Sequence, residues 1–539
     1  MKKIPSLFTF ISLLVIIGVM GGVIINNNQT KTEQNAVASI PTTKYGAFLA
    51  TQHAMYVNDF ARAADFAKTL SDVDYRVVNN TKILSEFLNG KLPLDADALK
   101  TEKTLPAQLI YDAYLVQNER WEDFYKRHKT DDSALSAPLR IWSSVSVNRI
   151  TEALKFIDTL STNDSWKSFV RGQIYAYTNQ NDKAASEFQN VRPDFMNISD
   201  YLYIMSFYKQ NNMSDVAKEL QDKYTSAPGG VFMTNYNTIP DWNIFSGIKN
   251  NLAFSLTQNV AHTQVMTYSD LAILLLSFAD VTFTDYGAQY DAINYYKGQY
   301  FFNNSGDFAK YFNKISADSP YYPFATLRIA EKSNDIKQLQ NVLDKNPLFM
   351  PAVNRVVAHY VQHDDKRAAL NTINAALSHK EISDSVHAFF LKGRAQTYYA
   401  FKDIDNAQSD LHAAAEILNA DPDIVSLQAK IWATQGRELD NAYDYAMTLV
   451  KRNPTDIFAW DTLGAVVYAR EGVEAALEML TRVGAVANRC SSLFERMGDM
   501  YVEIGETGLA RDAYMRAINL SGDGLTIINN VKKKLRKLN

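Results

Sequence analysis

The apolar positions in the C-terminal part of the chain repeat on two scales. Within a block they fall three and four residues apart, the spacing of one helix face. Between blocks the whole arrangement returns after 34 residues, as at Ala442, Ala476 and Ala510. In the last block Phe494, Met497, Gly498 and Tyr501 share one helix face, Gly505 marks a turn, and Ala510, Tyr514 and Ala517 share a face of a second helix. The block before it reads Trp460, Leu463, Gly464, Tyr468, Gly472, Ala476 and Leu480. A fixed period of this length predicts a helix-turn-helix hairpin that buries its apolar face only by stacking on the next one. Small residues at the eighth and twentieth positions let the two helices approach closely, and bulky ones fill the space to the next unit. Pro347, Pro422 and Pro454 fall at corners where a helix must stop.

Upstream the same pattern persists and weakens. Ala395, Tyr398, Ala407, Leu411 and Ala414 outline a good unit; Ala358, Ala368 or Ala369, and Ala375 or Ala376 outline a weaker one. Gly298, Gly306-Asp307-Phe308 and Ser319-Pro320 mark a degenerate repeat, and Leu271 to Asp280 is an apolar helix too short to span a membrane. The pattern returns in Gly172, Tyr175, Asn181-Asp182, Ala184, Phe188 and Val191, and again in Ala54, Asn58-Asp59-Phe60, Ala63 and Leu70, with Trp121 and Phe124 on a further hairpin. Between Ser226 and Asn243 lie helix breakers and no helical period. The expected organisation is degenerate helical repeats over 44–228, an irregular junction over 229–245, repeats over 246–520 and a basic capping helix over 521–539.

The N-terminus reads differently. Ile4 to Ile25 carry no charge over 22 positions, and as a helix this stretch spans about 33 Å, enough to cross a bilayer. Lys2 and Lys3 precede it and neutral asparagines follow, which predicts a cytoplasmic N-terminus. Residues 1–26 are thus expected to form an uncleaved signal anchor, with a cleavable signal peptide as the alternative, 27–43 a polar tether, and the body to lie beyond the membrane.

Composition removes several classes of function. Glycine and proline contribute only 22 and 14 of 539 residues, too few for the turns of an all-β fold. The net charge of −4 becomes −11 when the lysines before the apolar run and the five cations of the tail, Lys532 to Lys534, Arg536 and Lys537, are set aside. A body of that sign repels a phosphate backbone, which argues against nucleic acid as a partner. Cys490 is the only cysteine, so there is no internal disulfide and no site built from several thiolates.

On these residues the chain resembles tetratricopeptide repeat proteins over most of 44–520, most strongly after residue 385. The segments YGAFLATQHAMYVNDFARAADFAKTL, KISADSPYYPFATLRIA, LKGRAQTYYAFKDIDNAQSDL and FAWDTLGAVVYAREGVEAALEML carry the likeness. With the N-terminal apolar segment, the plan resembles bacterial envelope proteins in which a membrane anchor precedes such an array. The resemblance implies an all-α superhelix of about ten hairpins, at the inner membrane with its body in the periplasm, serving as an adaptor. Two positions depart from the pattern: Lys430 replaces a small residue and Ala67 an aromatic.

Candidate chemistry is sparse. His359 and His363 stand four apart, a spacing that suits one metal, but Tyr360 occupies the place where the metalloprotease pattern needs glutamate and no third ligand follows. Asp364 and Asp365 read as turn residues. No catalytic residue, cofactor, metal ligand or small-molecule substrate is assigned. By register the first helices present Lys392, Gln396 and Tyr399, then Asp461, Ala465 and Tyr468, then Glu495, Asp499 and Glu503 to the concave surface. Tyrosines and carboxylates in a groove suit a peptide or partner helix. The expected function is a non-catalytic scaffold for envelope proteins. The alternatives are an enzyme with a cryptic site in the irregular segment or at His359/His363, and a structural protein that self-associates. Leu535 and Leu538 punctuate the basic tail, which reads as a cap on the last repeat, with a lipid-binding helix as the alternative.

Overall fold

The computed structural model describes residues 43–538 except 71–75, 93–95, 133–135, 226–246, 263–269, 285–289, 305, 334, 380–381, 420, 485–489 and 521–524. The expected anchor, the tether up to residue 42 and the junction at 229–245 lie outside these residues. The described elements are 28 α-helices and one short 3-10 turn. Among them no helix is long and apolar enough to cross a membrane.

Hairpin follows hairpin for the same local reason. The early pairs are α1 (Lys44–Tyr56) with α2 (Phe60–Lys68), α4 (Leu105–Gln117) with α5 (Trp121–His128), α6 (Ala137–Ser146) with α7 (Ile150–Thr159), α8 (Asp164–Tyr177) with α9 (Asn181–Gln189), and α10 (Ile198–Gln210) with α11 (Ser214–Thr225). A helix α3 (Arg76–Leu88) stands between the first two pairs. Each of the five hairpins turns on one left-handed residue, Asn58, Glu119, Asn148, Asn179 or Asn212, with φ between 56° and 61°. Four of the five are asparagine, the non-glycine residue that best tolerates this conformation. Five positions after each turn residue comes a buried side chain: Ala63, Phe124, Ala153, Ala184 and Ala217. Small residues predominate there because the second helix crosses the first at that point.

The next helices break the nearest-neighbour rule. α12 (Ile248–His262) packs on α6 and α8, and α13 (Asp270–Thr282) packs on α3 and α4. They lie across the first helices of the N-terminal hairpins, the surface that would otherwise be an open groove. Polar contacts pin them: Trp142 Nε1 donates to Ser255 Oγ at 2.7 Å, Ser255 to Gln173 Oε1 at 3.2 Å, and Tyr203 to Asn251 Oδ1 at 3.3 Å. α13 is buried almost all round, from Ala272 through Ala279, which accounts for its continuous apolar run. α14 (Tyr290–Asn303) continues back to the start of the array, where Phe301 meets Phe60 edge-on at 5.5 Å. One buried cluster therefore runs from Phe60 to Ala325, with helices from both sides of 229–245 in it.

Beyond residue 325 the core is local. α15 (Ala309–Phe312) and α16 (Tyr322–Ser333) lead into α17 (Ile336–Lys345), followed by pairs α18 (Met350–Gln362)/α19 (Lys366–Leu377), α20 (Asp384–Ala400)/α21 (Ile404–Ala415), α22 (Pro422–Gln435)/α23 (Leu439–Arg452), α24 (Ile457–Glu471)/α25 (Val473–Gly484) and α26 (Ser491–Glu503)/α27 (Thr507–Leu520). Four successive clusters replace the single one, as a quasi-one-dimensional stack requires. Here the first helices α18, α20, α22, α24 and α26 touch one another in sequence and line one face. A Cβ on Gly498 would lie 2.3 Å from the Tyr514 ring, so only glycine fits there. The weaker unit settles on Ala369 and Ala376, both buried, instead of Ala368 and Ala375. Asp364 is its left-handed turn residue and Asp365 its N-cap, accepting from the Ala368 amide at 2.9 Å. A last helix, α28 (Leu525–Lys537), repeats the limits of α26 34 residues on and packs on α26 and α27. It also touches α18, so that the two ends of this superhelical face meet.

Candidate partner-binding face

The face lined by α20, α22, α24 and α26 carries every residue singled out for the concave surface, and most of them are engaged within the chain. Lys392 Nζ reaches Asp421 at 3.1 Å and Asp423 at 3.0 Å, binding α20 to the start of α22. Tyr399 lies 3.1 Å from Thr434 Oγ1 on α22. Asp461 is only 2 % exposed and is surrounded by Lys430 at 3.3 Å, Arg496 at 3.0 Å and Ser492 at 3.3 Å. Burial would raise its pKa, yet Arg496 and Lys430 together hold it below the usual carboxylate range. The lysine that departs from the repeat pattern is thus the α22 partner of the α24 carboxylate. Further along, Tyr468 donates to Glu503 Oε2 at 2.6 Å, and this bond to a carboxylate raises the phenol pKa. Lys534 of α28 donates to Glu495 at 2.8 Å and Asp499 at 2.6 Å.

These contacts form a ladder from one first helix to the next, with partners spaced near the repeat length. Their chemistry is registration: each rung fixes the rotation of one hairpin on its neighbour. What stays available is Gln396, which is exposed, the outer parts of Tyr468 and Asp499, and Phe458 on the first turn of α24, 61 % exposed. Ala465 is buried. Phe458 was not among the expected face residues, although it stands three before Asp461, one helical step along the same face.

The histidines divide by environment. The His359 and His363 rings lie tilted at 37° with centroids 4.1 Å apart, and His363 Nδ1 lies 2.8 Å from the backbone oxygen of His359. Burial, then His363 and Arg355, lower the His359 pKa. Among the described residues no three histidine, cysteine or acidic side chains gather as a metal site. A different pair escaped notice in the sequence. Asp112 and His128 occupy, in the α4/α5 hairpin, the places that Gly172 and Phe188 fill in α8/α9, and both are buried. His128 Nε2 lies 3.1 Å from Asp112 Oδ2, with Arg127 on the other oxygen. Burial would lower the imidazole pKa, but Asp112 raises it to about 9.

No family model and no curated protein matches the sequence. Among solved structures the chain is similar to the crystal structure of the APC/C hetero-tetramer Cut9-Hcn1, at 13 % identity over 92 % of this chain and 97 % of that one, with a TM-score of 0.32. It is also similar to the crystal structure of yeast Tom70, at 13 % identity over 92 % of this chain and 96 % of that one, with a TM-score of 0.24. The helical-hairpin repeat after residue 350, which resembles the tetratricopeptide pattern, rests on the chain's own period and hairpin packing.

Proposed function

We propose that the protein is a non-catalytic scaffold that takes protein partners on the face of α20 to α26, held at a membrane by residues 4–25 with its body in the periplasm. The observation that supports it is an asymmetry between the two grooves. The N-terminal one is covered by the chain's own α12 and α13, whereas the C-terminal one exposes Phe458, Tyr468 and Gln396 among polar residues that are fixed in place. Rigid aromatic side chains on a preorganised surface bind with little loss of conformational entropy. Hairpins fill nearly all of the described chain, and the buried charged clusters serve packing. For these reasons we favour an adaptor over an enzyme.

The test is affinity isolation with the full chain from membranes of cells that make it, beside the Phe458→Ser/Tyr468→Ser variant. A partner held by the parent chain and lost with the variant is expected. Equal recovery with both, or no partner with either, would refute this placement of the binding face.

A further inference from the structure

Val502, Ile504 and Leu509, at the end of α26 and the turn into α27, are 41 %, 41 % and 47 % exposed. Among the described residues nothing covers the exposed parts of these three side chains. Beside them runs α28, the next first helix of the stack, held in register by Lys534 on Glu495 and Asp499. Because α28 repeats the limits of α26 34 residues on, Arg536 and Lys537 hold the repeat positions of Val502 and Glu503. Val531 is fully buried and Leu535 and Leu538 face the core, so Lys532, Lys533, Arg536 and Lys537 all point outward and are exposed. Among the described residues no carboxylate pairs with these four. At the turn itself stand two acidic residues, Glu503, which accepts from Tyr468, and Glu506.

We propose that this rim is a peripheral membrane contact that rests on a bilayer rich in anionic phospholipid. The three aliphatic side chains enter the boundary between headgroups and acyl chains, and the four cations meet lipid phosphates. Exposed aliphatics beside unpaired lysine and arginine are the combination an interfacial segment uses. The rest of the body carries net negative charge, which biases an anionic surface toward this basic rim. An acidic protein would satisfy the cations and leave the aliphatic group in water.

The full chain carrying Leu509→Cys is labelled with an environment-sensitive dye, Cys490 being buried. It is then mixed with vesicles of phosphatidylcholine alone or with about one-third phosphatidylglycerol. Any attachment through residues 4–25 is common to all samples, so the difference between vesicles reports the rim. A blue shift is expected with the anionic vesicles only. It should fade with added salt and weaken about fivefold for each cation replaced, down to the Lys532→Gln/Lys533→Gln/Arg536→Gln/Lys537→Gln variant. Equal emission with both lipids, no shift with either as for a rim that meets an acidic protein, or a quadruple variant that behaves like the parent would overturn the proposal.

Discussion

At the scale of single residues the fold is set by what fits between the two helices of a hairpin. Gly498 faces the Tyr514 ring, while the equivalent pair in α20/α21 is Ala395 with Leu411, both buried. Gly498→Ala should therefore cost about 1–3 kcal/mol through overpacking, and Tyr514→Leu in the same chain should restore most of it, because alanine with leucine is a combination the array already holds. Chemical unfolding followed by hydrogen exchange in α26 and α27 measures both. The Asp112–His128 pair makes a prediction of opposite chemistry. Its histidine pKa is raised in the folded protein, from 6.5 to about 9, so the pair stabilises the fold fully below pH 6.5 and progressively less as pH climbs through 9. The melting temperature of the parent chain should exceed that of His128→Gln by an amount that shrinks over this interval. A constant difference would mean that the imidazole is neutral throughout. The positions of such pairs are legible in the sequence from the turn residue seven further on, Asn179 for Gly172 and Glu119 for Asp112. That Asp112 and His128 belong together is not, since sixteen residues separate them and only the hairpin joins them.

At the scale of elements, legibility follows how local the packing is. Hairpins after residue 385 announce themselves because every stabilising contact is with a neighbour one repeat away, so the period is imprinted on the sequence. α12 and α13 obey no such rule. Their partners are α3, α4, α6 and α8, over a hundred residues upstream in the case of Trp142 and Ser255. A helix as uniformly apolar as Leu271 to Asp280 tells that it is buried without telling by what. The core accordingly changes character near Ala325 and Leu327, well after the breakers that drew attention to 229–245. Leu275 and Leu463 are both buried, yet a charge at each should act over different ranges. Leu275→Asp should destabilise the helices that share the Phe60–Ala325 core by about 4 kcal/mol or more and leave exchange in α22 to α27 unchanged. Leu463→Asp should open only α22 to α27. Loss of protection along the entire chain in both variants would contradict the division.

At the scale of the whole molecule the chain combines a closed body, whose groove is filled by its own helices, with a superhelical face whose polar residues are locked in a ladder. The repeat register assigns Lys392, Tyr399, Asp461, Tyr468, Glu495 and Asp499 to first helices, and they lie on such helices. Their mutual engagement could not be read from it, because Lys430, Asp461 and Arg496 sit on three different hairpins and charge spacing alone does not tell which cations converge. The ladder leaves Phe458 and the outer part of the Tyr468 ring exposed to a partner. Site-specific photocrosslinking of the full chain in intact cells is the direct test. The crosslinker would stand in turn at Gln396, Phe458 and Tyr468 on the face, and at Met515 on the outer helix α27 as a control. One defined protein captured from the three face positions and absent from Met515 is the predicted result; products of equal yield from all four positions, or from Met515 alone, would contradict it.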